Sequence, residues 1–151
     1  MPADSGDITG EVGPVTAQYE ALVADGAVTP DPAQRSVAAR LDRLAHELAQ
    51  DRPGRGGPLA RLFAAKPRSA PRGLYIHGAV GRGKTMLMDV FFAATPVERK
   101  RRTHFHDFMA DVHERIHRAR QASQNGKGQA DPIAPVAAAI AAETHLLCLD
   151  E

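Results

Sequence analysis

The sequence predicts an α/β fold in which a parallel sheet is covered on both faces by helices. Three observations carry this reading. Short apolar runs alternate with helical patterns from Gly73 onward; a glycine-rich stretch, GAVGRGKT, lies at the seam between one such run and the helix after it; and a later run, HLLCL, ends on an acidic pair, Asp150 and Glu151. Strands alternating with helices build parallel sheets, because a parallel connection must cross the sheet and does so through a helix.

Composition agrees with one ordinary globular core: 151 residues, 43% of them hydrophobic. Nineteen Lys and Arg against 18 Asp and Glu leave a net charge of +1, so no overall charge calls for nucleic acid, and none is expected as a ligand. Cys148 is the single cysteine and lies inside the last apolar run, where a thiol behaves as a small hydrophobe; a reducing compartment fits. The first residues carry Asp4, Asp7 and Glu11 without the apolar centre of a secretion signal, and no run approaches the roughly 20 apolar residues that span a bilayer. A cytoplasmic location is expected.

Residues 1–50 read as an N-terminal helical segment. Residues 15–25 form a short helix through Tyr19, Leu22 and Val23, closed by Gly26. A second helix starts with Asp31 as cap, Pro32 at the first helical position and Gln34 reaching back in a capping box; Val37, Leu41, Leu44 and Leu48 make its apolar stripe. Residues 51–72 are a basic, Pro- and Gly-rich connector with a brief apolar centre at 59–65, read as solvated rather than as a phosphate patch.

Residues 73–151 carry the alternating pattern. Strands are expected at 74–77, 103–105 and 145–149, and helices at 85–94, 107–120 and 133–142, the last begun by Asp131 and Pro132. The stretch ASQNGKGQAD reads as a loop, and ERKRRTH as a solvated loop rather than a nucleic-acid or partner patch. His104 and His106 alternate with Phe105, which would put both on one face of the second strand.

Gly78, Ala79, Val80, Gly81, Arg82, Gly83, Lys84 and Thr85 match G-x-x-x-x-G-K-[ST] without a gap, after a predicted strand and at the opening of a predicted helix. Backbone amides turned inward around a phosphate need glycine's freedom at positive φ and its missing Cβ, and the helix N-terminus adds partial positive charge. Lys84 then reaches the β and γ phosphates, and the Thr85 hydroxyl holds Mg²⁺. In enzymes of this kind an aspartate ending a second buried strand directs Mg²⁺ and an adjacent glutamate orients the attacking water; Asp150 and Glu151 suit those roles. Lys84 and Glu151 are the expected catalytic residues, residues 78–85 the nucleotide site, Thr85 and Asp150 the metal ligands.

A competing motif is HERIH, His113 to His117, a literal H-E-x-x-H. On a helical wheel Phe108, Val112, Ile116 and Ala119 make the apolar stripe, leaving His113 at its edge and His117 on the polar side, and no third ligand is evident downstream. A solvated helix flank is the better reading.

Taken together, GAVGRGKTMLMD, HFHDFMADVHERIH, DPIAPVAAAIA and LLCLDE resemble the ZapE family of P-loop ATPases, which takes in bacterial cell-division ATPases and mitochondrial relatives, products of ATPase family gene one. The resemblance runs from the Tyr19 helix to Glu151. It implies an AAA+-like P-loop NTPase with a three-layer parallel sheet, preceded by the helical segment and incomplete here, since family members continue past the Walker B pair. It implies ATP and Mg²⁺ as ligands, hydrolysis by the longer chain, a role in division through the FtsZ ring or other division proteins, peripheral membrane association, and oligomerisation of the full-length protein. The polar sensor, arginine finger and helical lid of the family have no counterpart in these residues. Two other functions stay open from the residues alone: a nucleotide-responsive binding module without turnover, and a zinc hydrolase using HERIH. The loop by itself does not separate ATP from GTP.

Overall fold

A computed structural model describes residues 12–50, 71–79, 81–124 and 131–151. The chain divides into two compact units, Met1–Pro96 and Val97–Glu151. The segments 1–11, 51–70 and 125–130 lie outside the described residues, and with them most of the connector and of the ASQNGKGQAD loop.

In the first unit, helices α1 (Pro14–Ala24), α2 (Pro32–Gln50) and α3 (Lys84–Ala94) pack against one another. Their shared core is Val15 and Tyr19 of α1, Ala38, Leu41, Leu44, Ala45 and Leu48 of α2, and Leu87, Val90 and Phe91 of α3. Each larger side chain so buried contributes about 1.5–3 kcal/mol relative to an exposed one. The α2 stripe is the one expected, except that Val37 is only half-buried and two alanines complete the contact. α1 ends as its sequence requires: Gly26 has φ 73°, its amide donates to the Val23 carbonyl at 3.1 Å, and the Ala27 amide donates to Leu22 at 3.0 Å.

Asp31 does cap α2, its Oδ1 accepting from the Ala33 amide at 2.8 Å. Gln34 does not complete a capping box; its amide nitrogen instead donates 2.9 Å to the Arg82 carbonyl, 48 residues away. The expected strand at 74–77 is not formed as a paired strand. Leu74 and Ile76 are half-buried and Tyr75 and His77 exposed, which is strand-like alternation, but a strand exists only through its ladder and no described segment supplies a partner.

The second unit contains β1 (Lys100–His104), α4 (Phe105–Gln124), α5 (Ile133–Glu143) and β2 (Leu146–Asp150). Among the described residues there is one sheet, the parallel pair of β1 and β2, with Lys100 opposite Leu146 and His104 opposite Asp150. β1 therefore lies earlier than the sequence suggests, and KRRTH, read as loop, is strand. The side chains are basic, but the strand is made by its backbone ladder to the apolar β2. His104 ends the strand while His106 belongs to the first turn of α4, so the two do not share a strand face.

α4 carries the expected stripe, with Phe108, Val112, Ile116 and Ala119 all half-buried, and runs on past Arg120 to Gln124. It packs on both strands and on α5. Asp131 accepts from the Ile133 amide at 3.0 Å and so starts α5 as expected. Among the described residues of this unit the strand pair is better covered on one face: Leu146 and Cys148 are buried, whereas Leu147 is half-buried and Leu149 is 39% exposed. Burial pushes the Cys148 thiol above its ordinary pKa.

Candidate functional site

The glycine-rich loop is built by the junction of residues 71–79 with α3. Gly81 and Gly83 have φ 79° and 72°, the left-handed region that a side chain strains, and Gly83 is the N-cap of α3. A Cβ on Gly83 would also lie 2.8 Å from Gln34 Nε2, so the end of that side chain would have to shift. Gly78 differs from expectation: its φ is not positive and an added Cβ would meet nothing within 4 Å, so neither reason for glycine applies there in this structure. Val80 lies outside the described residues.

Lys84, the first residue of α3, folds back over the loop, and its Nζ donates to the carbonyls of Gly78 at 2.7 Å and Ala79 at 3.2 Å. The ammonium is thus held at the loop by backbone oxygens rather than by a carboxylate among the contacts described. Arg82 is exposed, with its guanidinium 3.9 Å from Asp31. Thr85 is exposed on the first turn of α3. A left-handed glycine pair before a helix N-terminus, with a cation folded over it, is an arrangement that can bind an anion.

The acidic pair belongs to the second unit. Asp150 ends β2, with its Oδ2 3.4 Å from Arg102 of β1 and its Oδ1 accepting from the Glu151 amide at 3.1 Å. His104 Nδ1 lies 3.2 Å from the Glu151 carbonyl. The residues at the end of this strand pair, Arg102, His104, Asp150 and Glu151, are therefore one polar cluster. Sequence reasoning missed Arg102 there, because the strand register that sets it beside Asp150 is not visible in the loop-like KRRTH pattern.

In HERIH, His113 and His117 are exposed, Glu114 is paired with Arg118, and His117 Nε2 lies 2.8 Å from Gln121. Among the described residues no three His, Cys, Asp or Glu side chains gather into a metal-holding group. Arg115, inside the same motif, has a structural task. It holds Glu143 of α5 at 2.8 Å through two nitrogens and Asp111 of α4 at 2.9 Å, while Arg101 of β1 reaches Asp111 at 2.7 Å.

The AFG1-like ATPase family model matches residues 14–151, which takes in both the loop and the acidic pair. The chain belongs to this family. It is 37% identical over 145 residues to the cell division protein ZapE of Escherichia coli K12, an alignment covering 90% of this chain and 37% of that protein. It is 51% identical over 92 residues to lactation elevated protein 1 homolog B of Danio rerio, covering 58% of this chain and 18% of the relative. An uncharacterized protein of Schizosaccharomyces pombe is 35% identical over 162 residues, 88% of this chain and 35% of the relative. The chain thus spans little more than a third of the length of the Escherichia coli and Schizosaccharomyces pombe relatives, and its alignment with the Danio rerio relative covers less than a fifth of that protein. No solved structure matches it. Membership of the family supports ATPase-type function. Among the described residues no helix is long and apolar enough to cross a membrane.

Proposed function

We propose that the native protein binds ATP at residues 78–85 and hydrolyses it with Mg²⁺, as a cytoplasmic, AAA+-like P-loop ATPase acting in cell division. The observation that carries this reading is Lys84 Nζ held on the Gly78 and Ala79 carbonyls, over a loop whose Gly81 and Gly83 are left-handed and whose end is the N-terminus of α3. Residues 73–151 would be part of the ATPase core, with its three-layer parallel sheet, 1–50 its helical N-terminal segment and 51–72 the connector. FtsZ or other division proteins are the proposed partners, by likeness to ZapE.

In this mechanism the loop amides bind the phosphate oxygens, and Lys84 exchanges its two carbonyl contacts for the β and γ phosphates. That exchange is downhill because a charge-assisted bond to an anion is stronger than one to a neutral carbonyl. The Thr85 hydroxyl and the Asp150 carboxylate would hold Mg²⁺; the donor set suits a hard cation, being oxygen only, and Arg102 is the charge with which the metal competes for Asp150. Mg²⁺ held there would supply charge neutralisation for the phosphate oxygens. Glu151 accepts a proton from the attacking water and orients it.

Lys84→Ala tests the loop. Losing a charge-assisted contact of about 1.5–3 kcal/mol weakens Mg·ATP binding roughly 10- to 150-fold in calorimetry. Unchanged affinity overturns the assignment of residues 78–85.

A further inference from the structure

We infer that Gln34 is a positioning residue for the phosphate loop, holding the Arg82–Gly83 peptide so that its amide is aimed at the bound anion; this rests on the function proposed above. The carboxamide of Gln34 lies against that peptide. Its Nε2 donates to the Arg82 carbonyl at 2.9 Å, and a Cβ built on Gly83 would come within 2.8 Å of Nε2 and 3.5 Å of the carboxamide carbon. In a trans peptide the C=O and N–H vectors point in opposite directions. Tying the Arg82 oxygen toward α2 therefore turns the Gly83 N–H away from α2. An anion-binding loop needs its amides inward, and so needs partners for the carbonyls that turn outward.

Gln34 is itself held in place. Asp31, three residues earlier, caps α2 through the Ala33 amide at 2.8 Å. Its backbone is clamped by the Tyr19 hydroxyl, which accepts from the Asp31 amide at 3.0 Å and donates to the Asp31 carbonyl at 3.2 Å. Tyr19 is 1% exposed, so the anchor is part of the core. Asp31 Oδ2 also stands 3.9 Å from the Arg82 guanidinium, a second contact between the start of α2 and the same loop residue. Among the described residues the buried Oε1 of Gln34 has no hydrogen-bond partner. A carboxamide serving only stability would be better replaced by an apolar side chain of its shape, because an unsatisfied buried acceptor is unfavourable. Its donor, in contrast, has a defined task at the loop.

Gln34→Met keeps the shape and removes both polar atoms; Gln34→Glu keeps the shape and sets an acceptor against the Arg82 carbonyl. In the native gene product we expect both to weaken Mg·ATP binding roughly tenfold or more by calorimetry, through lost preorganisation. The ligand-free melting temperature of Gln34→Met should be equal to or above wild type. Hydrogen exchange at the Gly83 amide should be faster in ligand-free Gln34→Met. If wild type binds Mg·ATP and both variants bind within twofold of it, the inference fails while the proposed function stands. A lower melting temperature in Gln34→Met with unchanged affinity and exchange assigns Gln34 a purely structural role and also overturns the inference. Wild type that binds no Mg·ATP sinks the proposed function and this inference with it.

Discussion

The three glycines of one motif are constrained to different degrees. Gly83 combines a φ of 72° with a neighbour 2.8 Å from any Cβ, Gly81 has a φ of 79° in open space, and Gly78 has neither constraint. A left-handed residue with a side chain costs about 1–2 kcal/mol. Alanine should therefore lower the melting temperature at 83 and at 81 and scarcely at 78. The first two shifts should be several degrees, since 1 kcal/mol is about 4–8 °C for a domain of 60–100 residues. Equal shifts at all three positions would show that the loop conformation is not what these glycines are for. The motif was legible residue by residue because its chemistry is local: consecutive backbone groups, one lysine, one helix start. Gln34 was not, because a glutamine at the third position of a capping box and a glutamine bonded 48 residues away are the same letter.

Elements here are finished by residues from other elements. α1 has no side-chain cap of its own at Gly13; instead Asp42 of α2 accepts from the Val15 amide at 2.7 Å, the Thr16 amide at 3.0 Å and the Thr16 hydroxyl at 2.5 Å. A Cβ on Gly13 would collide with that carboxylate. Asp42→Ala removes the cap from α1 and should destabilise the first unit by about 1–2 kcal/mol. Chemical denaturation reads the loss, and faster amide exchange should concentrate at Val15 and Thr16. A change spread evenly over α2 would contradict the capping role. The same dependence on a distant partner explains β1. KRRTH lacks the apolar letters of a buried strand, and its strand character comes from the register with β2.

The two units are stabilised differently. The first has a three-helix apolar core, whereas Val136, Leu146 and Cys148 are the buried hydrophobic residues described in the second. That unit is instead laced by Arg101, Asp111, Arg115 and Glu143, which join β1, α4 and α5. Hydrogen bonds from Arg115, and then from Arg101, hold the Asp111 carboxyl below its ordinary pKa, and Arg115 does the same for Glu143. Folded pKa values lower than unfolded ones mean that this stabilisation is fully present above the unfolded values near 4 and is lost as pH falls through the folded ones. Acid titration followed by amide exchange should therefore loosen α4 and α5 below about pH 4, and Arg115→Gln should abolish most of that pH dependence. An acid transition that Arg115→Gln leaves unaltered would place its cause elsewhere.

By itself the sequence determined the signals that act over a turn or two of chain. The capping aspartates Asp31 and Asp131, the Gly26 stop, the α2 and α4 stripes and the phosphate-loop pattern each depend on residues within a few positions of one another, and composition alone restricts what they can be. Tertiary structure decided what needs two distant segments at once: that residues 74–77 have no strand partner among the described residues while KRRTH becomes strand, that Arg102 meets Asp150, and that Gln34 leaves its own helix for the Arg82 carbonyl. A backbone hydrogen bond or a carboxamide has the same donor and acceptor wherever it stands, so only the packing of α1, α2 and α3 in one unit, and of α4 with its strands in the other, selects which partner each one finds.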